Sequence, residues 1–263
     1  MTPAKQAQAQ AQARPQPPLA EADDWALFLD VDGTLLELVD DPAAVQVPAE
    51  LPCTLAALHA ALGGALALVS GRGIDFIDGL FGHPGWPVAG LHGLEWRGGD
   101  GRRHAAPLDA GRWQALREGA AALATRLPGI RLEEKPPCLA LHCREAPQHA
   151  AAMARGAAEL AAHLPGYEVQ AGNHIQELKP AGQDKGAAVR RLMGEPPFRG
   201  RRPVYCGDDL TDEYAFAAVN AAGGISVRVG NRTPSAALFT LHNVAAVHAW
   251  LCSCARAARQ DRS

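Results

Sequence analysis

Short, uninterrupted apolar runs alternate with helical stretches over both ends of the chain. The runs at 26–30, 65–71, 87–93, 203–209 and 225–230 are continuous rather than alternating, which predicts parallel strands buried on both faces. Stretches at 49–62, 73–81, 184–193 and from Thr211 onward carry helical spacing between them. Strand–helix repetition of this kind predicts an α/β domain with a doubly wound parallel sheet. The middle of the chain breaks the pattern. Residues 107–127 and 147–163 read as Ala-rich helices, and strands are expected at 130–135, 138–144, 167–171 and 174–179. Adjacent strands joined by short turns predict an antiparallel sheet with helices on one face, an α+β module inserted into the first. Gly- and polar-rich segments at 98–107 and 179–186 are the expected hinges. The expected division is a core of 23–104 with 181–255, an inserted module of 105–180, and tails at 1–22 and 256–263.

Composition narrows the function class. The 263 residues are 48% hydrophobic and 20% charged, as in soluble globular enzymes. A net charge of −3 argues against nucleic acid or a membrane surface as the main partner. The six cysteines form no C-x-x-C pair, and the ten histidines include no H-E-x-x-H, so neither a disulfide framework nor a zinc motif is expected. The first twenty-two residues are Ala/Gln/Pro-rich with no apolar h-region, which predicts a disordered tail rather than a signal or anchor. No apolar stretch reaches the roughly 18 residues of a membrane span. The chain is expected in the cytoplasm.

The candidate chemistry lies at strand ends. In open α/β sheets, ligands bind outside the carboxyl ends of the strands. Four polar clusters fall there: Asp30-Val31-Asp32-Gly33-Thr34; Ser70 with Arg72; Asp208 and Asp209 with Asp212 and Glu213; and Lys185 at a helix start. Carboxylates are costly to desolvate alone, so several at one rim call for a counter-cation. A hard oxygen-ligand site suits Mg²⁺ completed by a substrate phosphate. Ser70, Arg72 and Lys185 can donate to that phosphate, and a carboxylate beside the metal can act as a nucleophile. Each cluster alone has a plainer reading: a Gly turn, a calcium loop, acidic residues complementing a helix dipole, a solvated lysine. Four in order, each beside a predicted strand, favour the joint reading.

These motifs resemble those of the haloacid-dehalogenase-like (HAD) phosphatases: D-x-D-G-T, then Ser, Lys and an acidic fourth motif, over about residues 26–230. The resemblance implies a Rossmann-like HAD core with a cap domain. It also implies Asp30 as nucleophile and Asp32 as general acid/base, with Ser70, Arg72 and Lys185 in the catalytic set. Mg²⁺ would be held by Asp30, the backbone carbonyl of Asp32 and Asp208, with Asp209 and Asp212 behind them. Within that superfamily the chain is most similar to the trehalose-6-phosphate phosphatases, through "GLHGLEWR" (90–97), "LEEKPPCLALHCR" (132–144), "ELKPAGQDKG" (177–186) and "GDDLTDE" (207–213). That likeness implies sugar binding by the E-x-K pair Glu133 and Lys135 and by Glu177. It adds His92, Gly93 and Glu95 from H-G-x-E, and Arg144 from H-x-R. Strand geometry favours Glu133 over Glu134, because residues two apart share a face. Asn173, where relatives often carry a basic residue, and Pro136-Pro137 depart from the pattern. The implied activity is Mg²⁺-dependent hydrolysis of trehalose 6-phosphate through an aspartyl-phosphate. The expected partner is that small-molecule substrate, and a monomer is expected. The alternatives are another HAD-type sugar phosphatase, for sucrose phosphate or a hexose phosphate, a sugar-phosphomutase, or a non-catalytic sugar-phosphate sensor.

Overall fold

The computed structural model describes residues 14–19, 24–39, 45–172 and 174–260; Asn173 and most of the expected N-terminal tail lie outside them. The chain opens with β1 (Trp25–Leu29), α1 (Leu51–Ala61), β2 (Leu66–Val69), α2 (Ile74–Phe81), β3 (Val88–Gly90), β4 (Glu95–Arg97) and β5 (Arg103–Ala105). Pro52 sits in the first turn of α1, where its missing N–H costs nothing, and Gly82 closes α2 in the left-handed conformation. The central segment supplies α3 (Ala110–Arg126), β6 (Arg131–Lys135), β7 (Cys138–His142), α4 (Ala150–His163), β8 (Tyr167–Gly172) and β9 (Ile175–Pro180). The chain then completes α5 (Lys185–Met193), β10 (Arg202–Gly207), α6 (Asp212–Ala221), β11 (Ile225–Val229), β12 (Phe239–Leu241) and α7 (Val244–Gln260).

Two sheets result. The larger runs β12-β11-β10-β1-β2-β3-β4-β5. Its strands are parallel from β12 to β3, and β4 is antiparallel to β3. Every residue of β1, β2 and β11 is buried, which is why these strands read as unbroken apolar runs. Strand order reverses at β1, and in doubly wound sheets that switch point opens a ligand crevice at the strand ends. The smaller sheet, β6-β7-β9-β8, is antiparallel. One face of it, with Leu139, Leu141 and Leu178, packs on Leu116, Ala120 and Leu123 of α3 and on Met153 and Ala157 of α4. The fold is therefore a doubly wound α/β core carrying an inserted α+β module. The compact units divide between Arg103 and His104 and between Gln183 and Asp184, against the expected breaks at 104/105 and 180/181.

Several elements exceed the expectations. The hinge expected at 98–107 contains β5, and β4 precedes it; both are three residues long and mostly polar, so neither leaves an apolar run to read. The tail expected from residue 256 continues α7 to Gln260. Residues 14–19 of the expected disordered tail are held by their backbone carbonyls: Thr240 N donates to Pro15 O at 3.1 Å, and Trp250 Nε1 to Pro18 O at 2.8 Å. Composition reads side chains and misses such main-chain acceptors. Among the described residues no helix is long and apolar enough to cross a membrane.

One buried ion pair ties β4 to α2. Arg97 makes two 2.7 Å hydrogen bonds to Asp78 and donates to Trp86 O at 2.8 Å, both charged side chains being less than a tenth exposed. Hydrogen bonds from Arg97 hold the Asp78 carboxyl below the usual carboxylate range. Asp78→Ala is expected to cost about 3–5 kcal/mol in urea unfolding, because it strands a buried guanidinium. The folded pKa is depressed, so the pair's contribution is complete above about pH 4 and is lost as pH falls through the folded value. Acid unfolding should therefore begin at higher pH in Asp78→Ala.

Candidate active site

Three carboxylates converge at the carboxyl ends of β1 and β10. Oxygens of Asp30, Asp208 and Asp212 all lie within 4.8 Å of one another. Lys185 Nζ sits among them, 2.7 Å from Asp30 Oδ1 and 2.7 Å from Asp212 Oδ1, and only 3% exposed. The lysine is delivered by local structure: Asp184 N-caps α5 by accepting Ala187 N at 2.7 Å, which fixes Lys185 as the first helical residue. Two glycines make room. A Cβ on Gly33, whose φ is +80°, would lie 2.3 Å from the Asp208 carboxylate, and one on Gly207 would lie 2.3 Å from Asp212 Cγ. Gly33 thus lets the D-x-D-G-T loop approach the second acidic motif, and Gly207 lets Asp212 fold back against the strand end of its own motif.

Asp212 is fully committed within the protein. Its Oδ1 accepts from Lys185 and from the Tyr205 hydroxyl at 2.6 Å, and its Oδ2 accepts Asp209 N at 2.8 Å. Thr34 Oγ1 lies 3.3 Å from both Asp30 Oδ2 and Asp208 Oδ1. Burial first, then Asp212, pushes Asp30 well above the usual carboxylate range, with Lys185 opposing. Burial and Asp212 likewise raise Asp208 to about 6. Burial alone would lower Lys185, but Asp212 and Asp30 overcome it and hold the ammonium above its usual value. One ammonium among three carboxylates leaves two negative charges uncompensated, a donor set and charge that fit a hard divalent cation.

Asp32 is placed differently. Its carboxylate receives Arg72 Nε at 2.6 Å and Nη2 at 2.7 Å, and the guanidinium lies over the Phe76 ring, 4.3 Å from its centroid. Arg72, expected to donate to phosphate, spends its fork on Asp32 in this conformation. Ser70 is buried after β2 and accepts Arg72 N at 3.1 Å. His92 follows β3 in the left-handed conformation, with its ring against Gly71: a Cβ there would lie 2.8 Å from His92 Nε2. Gly93 O accepts from Arg191 at 2.8 Å. Glu95 Oε1 accepts Ile74 N at 2.6 Å, so its carboxylate caps α2, a structural use that the sequence likeness does not imply. Asp209 Oδ1 pairs with Arg232 at 3.1 Å.

In the smaller unit, the face of the sheet opposite its helices is polar. Glu133, Ala140, Glu177 and Gln170 are opposite one another across β6, β7, β9 and β8, so their side chains share that face. Glu133 Oε2 lies 2.9 Å from His142 Nε2 and 3.1 Å from Lys135 Nζ. The His142 hydrogen bond, with Lys135 assisting, holds the Glu133 carboxyl down at about 2, a permanent acceptor. Glu134 points the other way and bonds Arg117 of α3 at 2.9 Å, as the alternation predicts. Glu177 is 6% exposed, whereas Arg144 lies exposed beyond the end of β7.

Comparison with known proteins bears on this arrangement. The family model described as trehalose-phosphatase matches residues 28–244. The chain belongs to the trehalose-phosphatase family. It is 44% identical to a probable trehalose-phosphate phosphatase of Sinorhizobium fredii over 82% of this chain and 81% of that one. It is 39% identical to the trehalose-6-phosphate phosphatase of Escherichia coli over 90% and 89%. The C-terminal domain of C. albicans trehalose-6-phosphate phosphatase shares the fold, with a TM-score of 0.76 and 24% identity over 89% of this chain and 93% of that one.

Sequence reasoning about this trehalose-phosphatase family member placed Thr34 in the first motif without a role and did not single out Tyr205, His142 or Gln170. Tyr205 carries a usable signal, since a tyrosine inside a buried strand needs a hydroxyl partner. Gln170 becomes visible only once strand register is known. The raised Asp208 and Asp30 carboxyls make a pH prediction for protein kept in chelator. The folded state keeps protons that the unfolded chain releases near pH 4, so stability should fall as pH rises from about 4 through about 6. The cost at neutral pH from Asp208 alone is on the order of 2–3 kcal/mol. Thermal unfolding followed across that range should show the slope, and Asp208→Asn should flatten it.

Proposed function

We propose that this protein hydrolyses trehalose 6-phosphate to trehalose and inorganic phosphate, a step of trehalose biosynthesis, through an aspartyl-phosphate on Asp30. The observation that carries the reading is the buried Asp30–Lys185–Asp212 cluster with Asp208 beside it. It lies in a chain whose family model and relatives bear the trehalose-phosphatase name. Asp30 attacks phosphorus while the bond from phosphorus to the sugar oxygen breaks. Asp32 gives that oxygen its proton, then takes a proton from the water that cleaves the aspartyl-phosphate, releasing phosphate and restoring both carboxyls. To do so Asp32 exchanges Arg72 for the sugar oxygen, and the freed guanidinium is available to the phosphoryl group. Lys185 and Ser70 hold the phosphoryl oxygens. Asp30, the Asp32 carbonyl and Asp208 would hold Mg²⁺, which when bound supplies positive charge against the phosphoryl oxygens. Asp212, engaged by three donors, orients Lys185, and Asp209 stands behind it.

Glu133, Lys135 and Glu177 are the proposed readers of the sugar, supported by their shared polar face and by the fixed charge of Glu133. His92, Gly93 and Arg144 are proposed to assist.

Phosphate release with Mg²⁺ across a panel of sugar phosphates tests the reading. Chelator should abolish turnover and Mg²⁺ restore it. Asp30→Asn should lower the rate by several orders of magnitude; retention of more than roughly a tenth of the wild-type rate, a barrier change of only about 1.4 kcal/mol, would defeat the covalent route. Glu133→Ala and Glu177→Ala should each lower kcat/KM for trehalose 6-phosphate by about 10- to 100-fold, leaving hydrolysis of a small aryl phosphate nearly unchanged. Lys185→Ala should damage both substrates alike. Equal losses on both substrates in the two glutamate variants would remove the sugar-reading role.

A further inference from the structure

Arg228 is a buried guanidinium. It lies near the carboxyl end of β11 and is 7% exposed. One terminal nitrogen donates to the backbone carbonyl of Arg232 and the other reaches Thr240 Oγ1 at 3.5 Å. Its Nε has no hydrogen-bond partner, and no carboxylate pairs with it among the described residues. Burying a guanidinium this way is expensive unless an anion offsets it.

Arg232 belongs to the loop that follows β11, and Arg14 bonds to that loop. Arg14 donates to Ser235 O at 2.5 Å, three residues past the carbonyl that Arg228 holds, and Arg232 reaches out to Asp209. Burial and then Arg14 depress the Arg228 pKa; Glu213 is the opposing charge, and one of its carboxylate oxygens already accepts Ala236 N at 2.7 Å. A phosphate-class dianion carries more charge and more acceptor oxygens than a single carboxylate, so it can engage several guanidinium forks at once.

We propose that Arg14, Arg228 and Arg232 form a second oxoanion site that takes a phosphate-class dianion, either inorganic phosphate or the phosphate of a monoester. β11 is two strands from β1, roughly 10 Å across the sheet, so this site is not the phosphoryl position beside Lys185. Arg232 connects the two, because an anion that engages it competes with Asp209, the neighbour of Asp208. The inference goes beyond the proposed function and does not depend on the substrate being trehalose 6-phosphate.

Calorimetric titration of metal-free protein at low chloride tests it, with inorganic phosphate, glucose 6-phosphate and acetate as probes. Wild type should bind at least one of the two phosphate probes and bind acetate far more weakly. Arg14→Gln should weaken phosphate-class binding by about tenfold, one charge-assisted hydrogen bond, while hydrolysis at low phosphate stays at the wild-type rate. Arg228→Gln should weaken it at least as much; should that variant fail to fold, Arg14→Gln and Arg232→Gln decide. Binding of both probes makes free phosphate and monoesters alike its ligands, and binding of one alone assigns the source. Wild-type binding in both Arg14→Gln and Arg232→Gln, equal binding of acetate, or no binding of either phosphate probe would overturn the proposal.

Discussion

The site hangs on the ammonium of Lys185, buried between two carboxylates that are 155 and 27 positions away in the chain. Without it Asp30, Asp208 and Asp212 would share one rim as bare negative charge, and the two acidic motifs would repel each other. With it, β1, α5 and α6 are pinned to a common point, and a residual charge of two remains for a divalent cation to balance. Each supporting detail serves this arrangement. The Asp184 cap sets where Lys185 begins its helix, Tyr205 and Asp209 N fix Asp212, Gly33 leaves room for Asp208, and Gly207 leaves room for Asp212.

How much of this was legible beforehand follows from the range of each interaction. The buried parallel strands announced themselves because two-sided burial leaves unbroken apolar runs. The acidic, serine and lysine clusters were legible because the topology of such sheets fixes where strand ends gather. Glu133 over Glu134 followed from the pleat alone, and the Glu134–Arg117 bond shows the alternation at work. Three-residue, mostly polar β4 and β5 left no apolar run, and the holding of residues 14–19 works through main-chain carbonyls that composition does not see. Pairings such as Arg72 with Asp32, or Glu95 with the α2 amide, depend on loops from different strands meeting, and one sequence does not reveal them.

Those two pairings separate scaffold from chemistry within a single stretch of motif. Glu95 and Arg97 are neighbours but one on β4, and both serve α2: the first caps its amino end, the second neutralises Asp78 on its buried side. The helix that carries Phe76 under Arg72 is therefore clamped from the antiparallel edge of the sheet. The motif that the sequence likeness assigns to substrate is at least in part a brace for the loop bearing Ser70 and Arg72.

The row Glu133–Ala140–Glu177–Gln170 also shapes how this surface can diversify over evolutionary time. Because the four positions are held in line by strand pairing, any one can be exchanged for another polar or small residue without moving the rest. A deletion of one residue within β6 would instead rotate Leu132 and Glu134 onto the polar face and drive Glu133 toward α3. New ligand preferences on this sheet are thus reachable by stepwise point substitution, and closed to insertion or deletion except in the turns.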